Sequence, residues 1–275
     1  MKSSSDVASR TVRLLDSIHG LALDQRTEGR QSLGANPSRG KIISYRWISQ
    51  CCSIVLSLLA VPACALEVAI DVGHGINDSG AISARGRSEF SFNQALAPVL
   101  QKALEGRGIG VRPVNFDGRI ANLRARPAAA AGADFFISLH HDSLNASELE
   151  IWAWEGQTLT YSDRYAGYSL YVSQDNPDRS TSERCASAIG AMMRRAGFVP
   201  TRHHYPKRAW ADETNAVHYY DNLVVLYRTT LPAVLFEAGV IKHRDEELLL
   251  QDPERMARMA DAIATGIAAC LYSGR

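Results

Sequence analysis

The sequence predicts an α/β fold, a single domain with a mostly parallel twisted sheet and helices on both faces, spanning residues 66–275. Three observations carry this prediction. Short apolar runs alternate along the chain with longer stretches whose apolar residues recur at helical spacing. Each long stretch stops at glycine or opens after a helix-starting residue, as separate elements do. No internal repeat or low-complexity tract interrupts the alternation after Ala65.

Leu66 to Val72 (LEVAIDV) reads as a buried strand running into the tight loop Gly73-His74-Gly75. Glu89 to Glu105 places Phe92, Ala95, Leu96, Val99, Leu100 and Leu104 on one helical face and ends at Gly106-Arg107-Gly108. Ile109 to Val114 is strand-like, and Ile120 to Ala131 reads as an Ala-rich helix that contains Pro127. Asp134 to Leu139 (DFFISL) is the next buried strand, followed by His140-His141-Asp142. Glu148 to Trp154 alternates as a strand does, and Tyr168 to Ser173 is a further strand candidate. Ser182 to Ala196 is an amphipathic helix closed by Gly197. A polar loop containing histidines runs on to Asp221. Leu223 to Leu226 and Ala233 to Phe236 are apolar runs, the second leading into Glu237-Ala238-Gly239, and Asp252-Pro253 opens a last helix that reaches Cys270.

The first 65 residues differ in kind. Residues 1–40 are rich in Ser, Gly and Arg and read as disordered. Residues 41–65 read as a secretory signal peptide. Lys41 and Arg46 precede an uncharged stretch with the apolar heart CCSIVLSLLA (Cys51 to Ala60), and Ala63-Cys64-Ala65 supplies a small-residue cleavage site. An uncleaved membrane anchor and a lipoprotein acylated at Cys64 are the alternatives. The expected location is periplasmic or secreted, with membrane attachment only if the segment is retained.

Composition narrows the function classes. The whole chain has 275 residues, 46% hydrophobic and 21% charged, with net charge +1. Those proportions exclude a disordered or collagen-like chain, and the near-neutral balance supplies no basic face for nucleic acid. Cleavage after Ala65 leaves 22 basic and 25 acidic side chains, so the exported domain is mildly acidic. It keeps two of the five cysteines, Cys185 and Cys270, which either pair in an oxidising compartment or stay as two buried thiols.

In parallel sheets, polar side chains just past the carboxyl ends of strands gather in one crevice. Here three strand ends carry His74, His140 and Glu237, and Glu89 opens the first helix close to the His74 loop. Two histidines and a carboxylate that leave a position open form the donor set of a catalytic zinc site, and a second carboxylate can take a proton from water there. Singly, a strand-end histidine is more often a hydrogen-bonded structural residue, and Glu89 alone reads as a first-turn carboxylate favoured by the helix dipole.

The pieces IDVGHG (Ile70 to Gly75), EFSFN (Glu89 to Asn93), LRAR (Leu123 to Arg126), ADFFISLHHDS (Ala133 to Ser143) and LPAVLFEAGVIKHRDEE (Leu231 to Glu247) occur in an order that resembles one family. That family is the zinc-dependent N-acetylmuramoyl-L-alanine amidases (Amidase_3), bacterial cell-wall hydrolases with a zinc-exopeptidase-like fold. The resemblance implies Zn2+ as cofactor, with His74, Glu89 and His140 as metal ligands and Glu237 as general base. It also implies hydrolysis of the amide between the lactyl group of N-acetylmuramic acid and L-Ala in peptidoglycan, in wall remodelling and daughter-cell separation. Asp71 and Asp142 are expected to orient the ligand histidines, and Arg126 either binds substrate or makes a structural salt bridge.

The chain departs from the family at His141, where a small residue is usual, and at Val240, where Phe is usual. Successive strand residues point to opposite faces, so His140 is assigned to the site and His141 beside or behind it. Residues 145–221 match the family poorly. In some members this stretch holds an autoinhibitory helix displaced by an activator protein, but no long apolar helix stands here, and constitutive activity is the expectation. His203, His204 and His218 read as solvated or substrate-facing, and His243 as part of a surface loop. Trp152, Trp154, Tyr161, Tyr165, Tyr168 and Tyr171 form either a substrate-contacting wall or the packing of a peripheral sheet. Two competing functions are a zinc carboxypeptidase-like hydrolase, which needs a cationic clamp not evident near the motifs, and a non-catalytic wall-binding protein, against which the intact four-residue set argues.

Overall fold

In the computed structural model, residues 66–204 and 207–274 are described, so the disordered stretch and signal peptide expected over residues 1–65 lie outside the described residues. The predicted alternation is present. Its apolar runs become β1 (Glu67–Val72), β2 (Gly110–Val114), β3 (Phe135–Asp142), β6 (Ser169–Val172) and β9 (Ala233–Val240). The helical stretches become α1 (Glu89–Glu105), α3 (Arg179–Arg195) and α6 (Pro253–Ser273). Asp178 and Asp252 open α3 and α6, accepting hydrogen bonds from the backbone N–H of Thr181 and Arg255.

With the short strands β7 (Trp210–Asp212) and β8 (Val217–Tyr219), these strands form a sheet in the order β2-β1-β3-β9-β6-β8-β7. The pairs β2/β1, β1/β3, β3/β9 and β6/β8 are parallel; β9/β6 and β8/β7 are antiparallel. Pro113 explains why β2 is the edge, since a residue without N–H cannot serve a central ladder.

The sheet separates two unequal apolar layers. One face carries Val68, Ile70, Phe135, Ile137 and Val234 against Leu96, Leu100 and Leu104 of α1, Ile189 and Met193 of α3, and Ile263 and Ile267 of α6. The other carries Ala69, Phe136, Ala233 and Leu235 against Ala130 and against Val225 and Leu226 of the one-turn helix α4 (Val224–Tyr227). Helices therefore lie on both faces, but the second face is thinly covered, and that thinness opens a cleft.

Several expectations change. The Ala-rich helix over 120–131 contracts to α2 (Ala125–Ala129), because Pro127 tolerates only a first-turn position. Strands β3 and β9 run past their apolar cores, so His140, His141, Asp142 and Glu237 lie within strands rather than beyond them. The reason is mutual pairing, which continues through His140 opposite Glu237. The apolar run Leu223 to Leu226, to which the sequence assigns no element, supplies the N-cap and most of α4. His243 is no loose surface residue: its ring accepts from the N–H groups of Asp245 and Glu246 and caps α5 (Arg244–Leu249).

The strand expected over 148–154 is β4 (Glu150–Trp154), paired with β5 (Gln157–Tyr161) in a separate two-stranded ribbon. The aromatic set accordingly divides. Trp152, Trp154 and Tyr161 cluster on the ribbon with Arg85 and Arg244 over their rings, whereas Tyr168 and Tyr171 are buried in the sheet. Cys185 of α3 and Cys270 of α6 form a disulfide, with Cα atoms 5.1 Å apart.

Candidate metal centre

His74 follows β1 in a left-handed conformation, φ 64°, which turns its ring back over the strand end. Hydrogen bonds hold that backbone. Asn115 Nδ2 donates to the carbonyls of Val72 (2.7 Å) and His74 (2.6 Å), and Arg126 donates to the same two carbonyls from Nη1 and Nη2. Arg126 is buried beside Asp71, 3.7 Å away, so its role in the structure is to brace the loop that presents His74.

Glu89 enters from the first residue of α1, and its carboxylate lies between the two histidines. His74 Nε2 is 3.1 Å from Oε2, and His140 Nδ1 is 3.0 Å from Oε1. The backbone N–H of Ala81 also donates to Oε2 at 3.2 Å. Burial works to raise the Glu89 carboxyl, but hydrogen bonds from His140 and His74 outweigh it and hold it well below the usual carboxylate range. Burial likewise works to lower His74, and the Glu89 hydrogen bond and charge leave it raised.

Close approach at this centre demands glycine. A Cβ at Gly73 would stand 2.3 Å from His140 Nε2, and one at Gly80, where φ is +73°, would stand 2.7 Å from Glu89 Oε2. His74, Glu89 and His140 each offer a donor atom within 4.8 Å of the others. Two imidazoles and one carboxylate converging beside an open cleft suit a zinc ion with a free coordination position, so the residues present fit that cofactor.

Glu237 lies directly opposite His140 in the β3/β9 ladder. Paired positions in adjacent strands direct their side chains to the same face, here the thinly covered one. His74, His140 and Glu237 line a cleft of about 450 Å³, closed by Leu123, Val224 and Leu235. Glu237 Oε2 is buried with no hydrogen-bond partner among the described residues. Burial, with the charges of Asp142 and Glu89 adding to it, pushes the Glu237 carboxyl well above its ordinary range. The tail of the same segment anchors β9, since Glu246 accepts from the N–H groups of Val240 and Gly167, and buried Glu247 accepts from Ser83 and pairs with Arg85.

His141 points to the opposite face. Its Nδ1 is 2.7 Å from Asn93 Oδ1, and burial lowers it to about 3, so it is a neutral packed residue behind the crevice. Asp71 and Asp142 were expected to orient the ligand histidines, and each has other hydrogen-bond partners among the described residues. Asp71 accepts from the Ser138 hydroxyl at 2.7 Å and faces Arg126. Asp142 instead meets His203 and His204, because strand β3 shifts register between His140 and Asp142. His203, His204 and His218 are buried rather than solvated.

Two supporting residues escaped the sequence reading. Asn93 lies one helical turn after Glu89, fully buried, and its Nδ2 donates to the Gly73 carbonyl at 3.1 Å. Its signal was an amide at i+4 from Glu89 on an otherwise apolar face. Asn115, with φ 59°, had no comparable signal, since an Asn after a strand is ordinarily a turn residue.

Residues 68–269 match the Amidase_3 family, N-acetylmuramoyl-L-alanine amidase. Over 202 residues the chain is 25% identical to LytH, a probable cell wall amidase of Staphylococcus aureus, covering 73% of this chain and 56% of that protein. The chain thus spans a little over half the length of the curated relatives it matches. Among solved structures it is similar to the catalytic domain of CwlV, an N-acetylmuramoyl-L-alanine amidase from Bacillus (Paenibacillus) polymyxa var. colistinus, with TM-score 0.59, 28% identity, 75% of this chain and 98% of that one covered. The fold is also shared with Ami1 of Mycobacterium smegmatis (TM-score 0.62, 20% identity, 76% and 97% covered) and with the CwlD amidase of Clostridioides difficile in complex with the GerS lipoprotein (TM-score 0.58, 20% identity, 76% and 99% covered). With the family's pattern matching across most of the folded residues and the His74–Glu89–His140 set beside Glu237, the chain belongs to the N-acetylmuramoyl-L-alanine amidase family, Amidase_3.

Proposed function

We propose that this protein is a zinc-dependent amidase that cleaves the bond between the lactyl group of N-acetylmuramic acid and L-Ala of the peptidoglycan stem peptide. One observation carries this reading beyond family membership: Glu237, whose Oε2 is buried with no hydrogen-bond partner among the described residues, stands across one strand pair from His140 and lines the cleft. A carboxylate so placed is costly for stability and useful to catalysis.

His74, Glu89 and His140 hold the metal. When bound there, zinc supplies Lewis acidity toward a water and toward the scissile carbonyl. Glu237 accepts the proton of the attacking water and delivers it to the departing nitrogen of L-Ala. Arg126 and Asn115 keep the His74 backbone in its left-handed turn so that its ring stays aimed at Glu89. The apolar side chains of Leu123, Val224 and Leu235 exclude bulk water along the cleft.

A peptidoglycan substrate lies outside the cytoplasm, and the export signal expected over residues 41–65 would carry the protein to it. CwlD in its complex with a lipoprotein supports testing a partner protein here as well. The deciding experiment is digestion of purified peptidoglycan by the purified chain, with and without added zinc, followed by mass analysis. Zinc-dependent release of stem peptides with a free N-terminal L-Ala is expected. Cleavage within the stem peptide instead would establish the carboxypeptidase-like alternative. His74→Ala is expected to lose both metal and hydrolysis.

A further inference from the structure

The polar loop after α3 brings a second set of metal-type donors against the strand that carries His140. Asp142 Oδ2 is 2.6 Å from His204 Nε2 and 3.7 Å from His203 Nδ1. One donor atom from each of the three residues lies within 4.8 Å of the others. His203 and His204 are 6% and 8% exposed.

The state of His203 is the informative detail. Its Nε2 is 3.1 Å from Glu148 Oε2, a hydrogen bond that consumes the ring N–H. Its Nδ1 is buried and has no hydrogen-bond partner among the described residues. The 3.7 Å to Asp142 is too long for a hydrogen bond. It is close to the edge of a tetrahedral zinc site, about 3.3 Å when ligands sit roughly 2.0–2.1 Å from the ion. A histidine that donates one nitrogen to a carboxylate and leaves the other turned toward further donors has the usual arrangement of a metal ligand. His204 Nε2 would reach the same edge length from Asp142 by opening that contact by about 0.7 Å.

The surroundings suit an enclosed ion. His218 is fully buried, stacked on Trp210 at 3.8 Å, and packs edge-on to His204 with both ring nitrogens lacking hydrogen-bond partners among the described residues. Tyr171 closes the side toward the sheet.

We propose that Asp142, His203 and His204 form a second divalent-metal site of the zinc class, separate from His74, Glu89 and His140, which fastens the loop after α3 to the end of β3. Two imidazoles and a carboxylate select zinc-like ions over magnesium or calcium, which prefer oxygen. The competing arrangement places a proton on each histidine and needs no metal.

Metal content of the full chain, equilibrated with Zn2+ and desalted, separates the two. About two zinc ions per chain are expected, falling to one in H203A/H204A, to one in H74A/H140A and to none in the fourfold variant. One ion in the parent, lost in H74A/H140A and kept in H203A/H204A, overturns the second site while leaving the proposed amidase centre intact. The reverse result overturns the first site alone. Because alanine could unfold the loop, D142N in the H74A/H140A background serves as a shape-conserving control, and it should also bind no zinc. In that background, Co2+ should give visible d–d absorption that H204Q abolishes. Zn2+ should also slow proteolysis within residues 201–221 in H74A/H140A and have no effect when D142N is added. Equal cleavage with and without Zn2+ overturns the fastening role.

Discussion

The two histidine–carboxylate clusters share strand β3 but are held in different ways. In the first, His140 and Glu89 project from a central strand and a long helix, and the loop bearing His74 is tied by Asn115, Arg126 and Asn93. In the second, Asp142 comes from the strand end, whereas His203 and His204 are consecutive residues of a loop, held mainly through their own side chains. The first opens on the cleft, with Glu237 facing it; the second is walled by Tyr171 and His218. The lesson is that convergent donors do not make a reaction centre. On the proposed function, a reactive centre also needs an unpartnered group aimed at an accessible space, and that group is Glu237, whose Oε2 has no hydrogen-bond partner among the described residues.

The sharpest way to break this comparison is Glu237→Gln, which keeps shape and removes the proton acceptor. A loss of roughly 10²- to 10⁴-fold in the rate of peptidoglycan hydrolysis is expected, with zinc content unchanged. Near-parental hydrolysis would remove the distinction between the clusters.

The next effect concerns the scaffold beneath both. The Cys185–Cys270 disulfide joins α3 to α6 across 85 residues of sequence, and replacing both cysteines with Ser should cost about 4.6 kcal/mol of stability by loop-closure arithmetic. Denaturant unfolding measures it. A single transition shifted as a whole means that both clusters belong to one cooperative unit; a separate early transition assigns the second to a loop that opens alone.

Gly73→Ala tests the packing of the first cluster, since the added methyl falls on the His140 ring. Zinc affinity there should fall about 100-fold in chelator competition, a loss of the size seen when the support of a ligand is disturbed. Affinity at the second cluster should hold. The smallest effect is expected for Glu148→Gln, which weakens the hydrogen bond that orients His203. Zinc affinity at the second cluster should drop about tenfold in the same competition, with hydrolysis unaffected. A change at the first cluster instead would show the two to be coupled through β3.

Much of this was legible in the residue order. The LEVAIDV, DFFISL and AVLF runs carry their strand identity locally, because a strand covered on both faces must be apolar at nearly every position. His74, Glu89, His140 and Glu237 were legible as a set since polar groups at the ends of such strands have one crevice in which to meet. Arg126 was not, because a buried guanidinium serving carbonyls and one serving a substrate look alike in sequence. Of the two readings given to His203 and His204, solvated or substrate-facing, burial removes the first; a polar loop without periodicity says nothing about what covers it.

What belongs to local pattern, then, is the alternation of elements, the identity of the donors and the parity that sends His140 and His141 to opposite faces. Parity follows from backbone geometry, which every strand shares. What belongs to packing is everything measured between distant segments: the pairing of His140 with Glu237, the disulfide, the brace on His74 and the closure of the loop over Asp142. Such contacts depend on strand order and on the register shift in β3, and no residue near His203 records that Asp142 will arrive beside it.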